Sequence, residues 1–215
     1  MLVRGRHRVT PTQAHAQYRG PCLYRGGQLG LVDGSMICLM PLRAGRHTAG
    51  PENGKLQVRT YREGMAQKVG HDLVIDVGRW QAIVQALENG AISSVEFEAV
   101  SRSLQVREGL GGVKPLTDKD RGEIRKTIDE KILRGQPITF RSTAVESRAG
   151  KLLVAGELTL VGVSRSVSFE LEATDGHVGG TLPLTQSEWG IKPYRGLMGA
   201  LKVRDAVEIA IDTQL

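Results

Sequence analysis

Histidine and serine are the side chains of this sequence that could supply a base or a nucleophile. His71 directly precedes Asp72, a pair that could serve as a general base and its orienting carboxylate. Neighbouring residues of a β-strand point to opposite faces, however, and this stretch alternates as a strand does. Ser142, Ser164 and Ser187 are the candidate nucleophiles, and none stands in a G-x-S-x-G elbow. An esterase is therefore only the third hypothesis.

Metal and phosphate sites find little support in the sequence. Beyond residue 50 the only histidines are His71 and His177, and no carboxylate spacing completes a metal site with them. Cys22 and Cys38 form neither a CxxC pair nor a Cys/His zinc pattern. The glycine-rich loop at 109–112 lacks the Lys-Ser/Thr of a P-loop. We therefore predict no metal, no cofactor and no catalytic residue.

The positive charge of the chain is concentrated near its start. The formal net charge is +6, and residues 1–50 contain seven Arg, no Lys and one acidic residue, Asp33. Residues 51–215 are consequently balanced, which gives them no electrostatic reason to bind nucleic acid. Gly, Pro and Arg are scattered through residues 1–50 without any period, which predicts a basic, poorly ordered extension before a domain at 51–215. A nucleic-acid or membrane-surface arm is the alternative for this extension.

Targeting signals are not evident in the sequence. No run of about 18 apolar residues is present, so we predict no transmembrane segment. No stretch has the layout of a signal peptide, which favours a cytoplasmic protein. An exported protein is the alternative if translation starts elsewhere, and Met36 or Met40 could be the true start.

The strongest structural pattern lies at 137–173, where three segments alternate apolar and polar residues. Turn residues at 147–150 and 162–166 separate the segments, which predicts an antiparallel meander with one dry face. The residues predicted to share a face are, strand by strand, Ile138, Phe140, Ser142 and Ala144; Leu152, Val154, Gly156, Leu158 and Leu160; and Val167, Phe169 and Leu171.

Further alternating segments flank the meander, and one helix interrupts them. Thr117 is the predicted N-cap, and Ile124, Ile128 and Ile132 form a stripe that should face inward. We predict an all-β protein with one inserted α-helix and about eight strands in an up-and-down antiparallel barrel. The other segments are 56–62, 73–77, 80–84, 92–100, 104–106, 178–184 and 206–212.

The interior of such a barrel could be packed or hollow. Eight strands enclose a space that side chains just fill, or that holds one apolar ligand. The chain has only three Phe and two Trp with which to fill it. Both a lined cavity and a solid core stay open at this point.

Five segments of the chain, taken in order, resemble the YceI family of polyisoprenoid-binding proteins. They are GHDLVIDV (70–77), LTDKDRGEIRKTIDEKIL (116–133), ITFRSTAVE (138–146), LLVAGELTLVGVSRSVSFELE (152–172) and VEIAID (207–212). The resemblance extends over residues 55–215. It implies a lipocalin-like barrel whose apolar tunnel holds an isoprenoid chain, with no metal and no catalysis. Family members are commonly exported, which this sequence does not indicate.

This resemblance leads to a non-enzymatic function. The hypothesis is binding, transport or sequestration of a polyisoprenoid, an isoprenoid quinone or a similar long apolar lipid, and a homodimer is left open. The alternative is a solidly packed structural or interaction domain without a ligand. The predicted tunnel lining is Leu73, Ile75, Phe97, Ile138, Phe140, Leu158, Leu160, Phe169 and Leu182. The predicted mouth or head-group residues are His71, Trp189 and Tyr194.

Overall fold

The computed structural model describes residues 42–148 and 150–215. One α-helix, α1 (Asp118–Thr127), continues into a π-helical turn at Ile128–Ile132, and the remaining regular structure is almost entirely strand. Short 3₁₀ turns lie at Gln67–Val69, Ser101–Ser103, Gln186–Trp189 and Leu197–Gly199. The strands are β1 (Gly45–Ala49), β2 (Gly54–Thr60), β3 (Arg62–Glu63), β4 (Asp72–Val77), β5 (Trp80–Ala86), β6 (Ile92–Ala99), β7 (Leu104–Leu110), β8 (Ile138–Arg148), β9 (Lys151–Leu160), β10 (Val163–Thr174), β11 (His177–Thr185), β12 (Arg195–Gly196), β13 (Leu201–Val203) and β14 (Ala206–Gln214).

Most of the strands belong to one large antiparallel sheet. Its order is β1-β5-β6-β8-β9-β10-β11-β14-β2-β4-β7, and a small second sheet has the order β12-β13-β3. The prediction of an all-β protein with one inserted helix is confirmed. The prediction of about eight strands is wrong, because the large sheet contains eleven.

Three corners account for the difference in strand number. β1 and β2, β4 and β5, and β6 and β7 are neighbours along the chain, yet the two members of each pair lie toward opposite ends of the sheet order. The chain thus joins the two ends of the sheet at 50–53, 78–79 and 100–103, and the sheet curls round an interior. Apolar alternation continues on both sides of the corners at 78–79 and 100–103, so the sequence pattern does not separate two strands from one bent strand there. The third additional strand is β1, which precedes the predicted domain.

Hydrogen bonds hold two of these corners together. The backbone N–H of Gly78 donates to the carbonyl of Ser103, and that of Val100 donates to the carbonyl of Arg79, both at 3.0 Å. The N–H of Arg79 donates to Oγ of Ser103, also at 3.0 Å. The two corners at 78–79 and 100–103 therefore pack as one unit, and their backbone groups are satisfied although the ladders stop.

The first strand lies inside the segment that the sequence analysis assigned to an extension. β1 pairs with β5 over Gly45–Ala49, so the sheet begins before residue 51. Residues 1–41 lie outside the described residues, as do Cys22 and Cys38, and the predictions for that part stay predictions.

The predicted meander is present, with one irregularity. β8 pairs with β9, and β9 with β10, over most of their lengths. A β-bulge at Thr143 inserts one extra residue, since Ser142 pairs with Gly156 but Ala144 pairs with Ala155. Beyond the bulge Val145, rather than Ala144, packs against the core. The predicted alternation of β8 is therefore wrong after Ser142.

The helix begins where the sequence predicts. Thr117 is the N-cap, its Oγ1 accepts from the N–H of Asp120, and the Asp120 carboxylate accepts from the N–H of Thr117. This reciprocal pair satisfies two backbone donors of the first turn. Ser101 at a sheet corner donates to Asp129 (2.8 Å) and ties down the far end of the helix. In the described part of the chain no helix has the length and apolar character needed to span a membrane.

Candidate functional site

The curled sheet encloses a cavity of about 890 Å³. Side chains from the inner faces of its strands line this cavity, and they are overwhelmingly apolar. The volume falls within the range of about 300–1,000 Å³ that is usual for small-molecule sites. Of the two interiors that the sequence left open, the structure has the hollow one.

All nine side chains predicted to line a tunnel do line this cavity. Ile75, Phe140, Leu158 and Leu160 are buried, and Leu73, Phe97, Ile138, Phe169 and Leu182 are half-buried. Two aromatic pairs shape the wall: Phe140 with Phe169, whose ring centroids are 5.5 Å apart, and Trp80 with Phe97, at 6.3 Å. Whether these residues bind a ligand stays a prediction.

The sequence analysis missed most of the residues that line the cavity. Val207, Ile209 and Ile211 on β14 face the cavity, and their alternation in the sequence was the signal that could have identified them. The isoleucine stripe Ile124, Ile128 and Ile132 also lines it, so α1 and the π-helical turn form part of the wall. Further lining residues are Leu56 and Val58 on β2, Trp80 and Val84 on β5, and Leu184 on β11.

The cavity opens at one end, where lining residues are also exposed to solvent. Val69, Val113 and Tyr194 line the cavity and are 48%, 70% and 45% exposed. Lys114 and Glu123 also line the cavity and are exposed to solvent. These five residues come from the 3₁₀ turn before β4, the loop before α1, α1 itself and the loop before β12. We call this opening the mouth.

His71 lies beside the mouth, and its hydrogen bond defines its role. Its Nε2–H donates to the carbonyl oxygen of Lys114 at 2.8 Å, which fixes the loop between β7 and α1. The Asp72 carboxylate instead accepts from the backbone N–H of Arg62 at 2.8 Å. The guanidinium of Arg62 donates to the carbonyls of Gly70 and Leu110. The adjacent His71 and Asp72 are therefore engaged separately and do not form a base-and-orienter pair.

The other two predicted mouth residues differ from each other. Tyr194 lines the cavity at the mouth. Trp189 is buried, at 2% exposure, and its indole N–H donates to the carbonyl of Leu158 at 3.1 Å. A buried indole requires such an acceptor. Trp189 thus holds the Gln186–Trp189 turn against β9 and is not among the lining residues of the mouth.

The candidate nucleophiles all have structural partners. Ser142 Oγ accepts the N–H of Val95 at 2.8 Å, beyond the end of the β6–β8 ladder. Ser164 shares a hydrogen bond with Thr159 on the outer surface. Ser187 donates to Asp205, which also accepts the N–H of Ser187.

His71 and His177 lie far apart in the fold. β14 pairs with both β11 and β2, and this places His177 near the start of β2. His71 directly precedes β4, which pairs with β2, and lies near the end of β2. Within residues 42–148 and 150–215 no three His, Cys, Asp or Glu side chains converge as metal ligands would.

Among the described residues three ionisable groups have clearly shifted pKa values, and each shift has a local cause. The hydrogen bond of Tyr61 to Glu208 (2.7 Å) raises the pKa of the Tyr61 phenol, and burial adds to this effect. Hydrogen bonds from Thr117 lower the pKa of Asp120. The hydrogen bond to Glu170 raises the pKa of Lys151. One shift comes from a helix cap and the other two from hydrogen-bonded side-chain pairs, so none of the shifts indicates a catalytic acid or base.

Comparison with known proteins supports the architecture. Residues 118–215 match the family model described as the YceI-like domain, which confirms the predicted resemblance over that part of the chain. The crystal structure of Burkholderia cenocepacia BcnA is similar in fold, with a TM-score of 0.53 and 17% sequence identity, and the match covers 74% of this chain and 94% of that one. Comparison with curated proteins gave no match.

Proposed function

Since the chain carries a YceI-like domain over residues 118–215, we propose that it binds a long apolar lipid of the polyisoprenoid type inside its curled sheet. The lipid would be carried or sequestered without chemical change. An isoprenoid alcohol or the tail of an isoprenoid quinone fits this proposal. The lipocalin-like barrel implied by the family resemblance is the architecture that such binding needs.

The observation that carries the proposal is the apolar cavity whose charged lining residues lie at one end. Its inner wall consists of Leu, Ile, Val and aromatic side chains from the strands, and its polar residues gather near the mouth, among them Arg62, His71, Lys114 and Asp120. A lipid with one polar head matches this distribution, because its tail leaves water and its head stays solvated.

Affinity would come from removing the tail from water. Each buried CH₂ contributes about 0.8 kcal/mol, so ten such carbons would give about 8 kcal/mol before the loss of ligand freedom is subtracted. Branched isoprenoid methyl groups suit a wall that is lined by half-buried rings and β-branched side chains rather than a smooth groove. Length and branching, not a specific polar contact, would then select the ligand.

Binding without catalysis is the form of the proposal that the polar residues favour. The His71 Nε2–H is committed to the Lys114 carbonyl, and Asp72 is committed to Arg62. Ser142 accepts a backbone N–H, and Ser187 is held by Asp205. A solidly packed interaction domain is less favoured, because the interior of the sheet contains a cavity of about 890 Å³.

The test is direct identification of the bound molecule. The full chain would be purified without detergent and analysed by native mass spectrometry, and an organic extract would then be analysed for lipids. We expect about one isoprenoid per chain, or uptake of one added polyprenol. A preparation that contains no lipid and takes up no polyprenol would refute the proposal. Uptake of palmitate in preference to polyprenol would retain the lipid cavity but overturn the isoprenoid assignment.

A cavity-filling variant makes this test specific. Leu182 lines the cavity and is half-buried, so a larger side chain at this position would extend into the cavity. Leu182→Trp should therefore lower lipid retention sharply while the fold is kept. Thr181→Trp is the matched control, because it adds the same indole to the exposed outer face of β11. Equal loss of lipid in both variants would show that the cavity does not hold it.

A further inference from the structure

The mouth is surrounded by apolar side chains that point into solvent. Met65 is 95% exposed and Met198 is fully exposed, although most large apolar residues of the described chain are buried. Val69, Val113 and Leu197 belong to the same group, at 48%, 70% and 58% exposure. Exposed apolar residues that occur singly need no explanation, but a group of five at one opening does. We call the segments 62–69, 110–116 and 192–204, which carry these residues, the mouth rim.

Hydrogen bonds and strand pairing join the three segments into one surface. β3 pairs with β13 through Arg62 and Val203, and β13 pairs with β12. The N–H of Ala66 donates to the carbonyl of Ala200 at 2.9 Å, which places the turn of Met65 beside the loop of Met198. The third segment is attached through the bonds from Arg62 to Leu110 and from His71 to Lys114.

The mouth rim is also strongly basic, although the charges of residues 51–215 balance as a whole. Its three segments contain seven basic residues and one acidic residue, Glu63. Lys68, Lys114, Lys192 and Arg195 are exposed, and none of them has an ion-pair partner in the described parts of the chain. Apolar tips surrounded by unpaired cations are the composition of a surface that contacts anionic lipid.

The backbone that presents two of these tips is strained. Leu197 and Met198 have φ of 48° and 53°, a left-handed conformation that side chains with a Cβ rarely adopt. Glycine would adopt it more easily, yet this loop has two large apolar residues there. Such strain is typical of functional loops, because selection for stability alone would remove it.

We propose that the mouth rim docks onto an anionic lipid bilayer, so that the cavity opens directly against the membrane surface. The apolar tips enter the interfacial layer, and the lysines and arginines contact the phosphates. A lipid tail could then pass between bilayer and cavity without crossing water. The docking surface stands on its own exposure and charge, and does not require that the cavity hold an isoprenoid.

Vesicle flotation with the full chain tests the docking. One set of vesicles is phosphatidylcholine alone, and the other contains equal parts of phosphatidylcholine and phosphatidylglycerol. The protein should float with the anionic set only, and less at high salt, since screening weakens the cationic contribution. Met65→Ser with Met198→Ser should weaken this binding about a hundredfold, because burying each of the two methionine side chains contributes a factor of about ten.

Control variants separate the proposal from its competitors. Leu87→Ser removes an exposed apolar residue from the turn between β5 and β6, outside the mouth rim, and should bind vesicles as the unchanged protein does. Equal binding to both vesicle sets, or unchanged binding after the double methionine substitution, would overturn the proposal. A dimer in solution that the double substitution dissociates into monomers would also overturn the proposal, since the mouth rim would then be a contact between two copies of the chain.

The vesicle experiment is independent of the cavity experiment. Leu182→Trp should still dock, because the rim is untouched. Docking without lipid uptake would support the docking proposal and refute the proposed lipid binding. Lipid uptake without docking would support lipid binding and refute the docking proposal.

Discussion

The aromatic ring of Phe140 packs against the bare backbone of Gly156 on the neighbouring strand. A Cβ added at Gly156 would overlap this ring and the backbone carbonyl of Arg141. The glycine therefore lets β8 and β9 place Phe140 flat on the cavity wall, where it meets Phe169.

Gly156→Ala should accordingly destabilise the protein. The added methyl group cannot be accommodated by a side-chain movement alone, because one of the overlapping atoms is backbone. We expect a loss of about 1–3 kcal/mol in the free energy of unfolding, measured by urea denaturation. Gly122→Ala is the control: a Cβ there meets nothing within 4 Å, and alanine favours the helix. A destabilised Gly122→Ala, or an unaffected Gly156→Ala, would contradict this account.

Asn53 should be the most sensitive polar residue of the corner at 50–53. Its amide accepts from the N–H of Gly50 (2.8 Å) and donates to the carbonyls of Thr48 (3.0 Å) and Gln214 (2.7 Å). Asn53→Ala should lower the unfolding free energy by about 1–3 kcal/mol, since it leaves three backbone groups without their partner.

Asn89→Ala is the matched substitution for that experiment. Asn89 lies in the turn between β5 and β6, and its side chain accepts one hydrogen bond, from the N–H of Ala91 (3.0 Å). Its loss should cost clearly less in a thermal or urea melt. Equal losses at the two positions would mean that Asn53 does not hold the corner.

The capping box of α1 should make stability depend on pH in the acid range. The pKa of Asp120 is lowered in the folded protein by its hydrogen bonds with Thr117. Its contribution is therefore fully present above the ordinary carboxyl pKa of about 4 and is lost as pH falls through the lower folded value. Asp120→Asn should destabilise the protein near neutral pH and flatten the decline of stability below about pH 4.

Asp118→Asn provides the comparison, because Asp118 is in the same first turn but outside the capping box. Both variants remove one negative charge near the helix N-terminus, so a common effect would be electrostatic in origin. A pH profile that is the same in the two variants would argue against the capping box as the cause. Unfolding would be followed by circular dichroism between pH 3 and 7.

Replacing Met198 by glycine should separate stability from docking. The left-handed backbone costs an L-residue with a side chain about 1–2 kcal/mol, and glycine would remove this cost. Part of the stability gained is offset, because glycine loses more conformational entropy on folding. Met198→Gly should thus raise the unfolding free energy by about 0.5–1 kcal/mol and weaken flotation with anionic vesicles. A lower stability would show that the loop is not strained at this residue.

The sequence alone determined most of the strands and which of their faces are dry. A side chain on a pleated strand can leave only one of two faces, so period-two alternation was sufficient to place Leu152, Val154, Leu158 and Leu160 inward. The N-cap at Thr117 was equally predictable, because a hydroxyl before the first turn serves the local backbone. These are local properties, and they were sufficient to predict nine of the residues that line the cavity.

Tertiary structure decided what the local patterns could not contain. The bulge at Thr143 and the corners at 78–79 and 100–103 depend on how the strands pair, and the alternation in the sequence does not reveal them. The burial of Trp189 depends on the carbonyl of Leu158, which accepts its indole N–H from a strand distant in sequence. The basic, apolar mouth rim consists of three segments far apart in sequence, and only the folded sheet brings them to one opening.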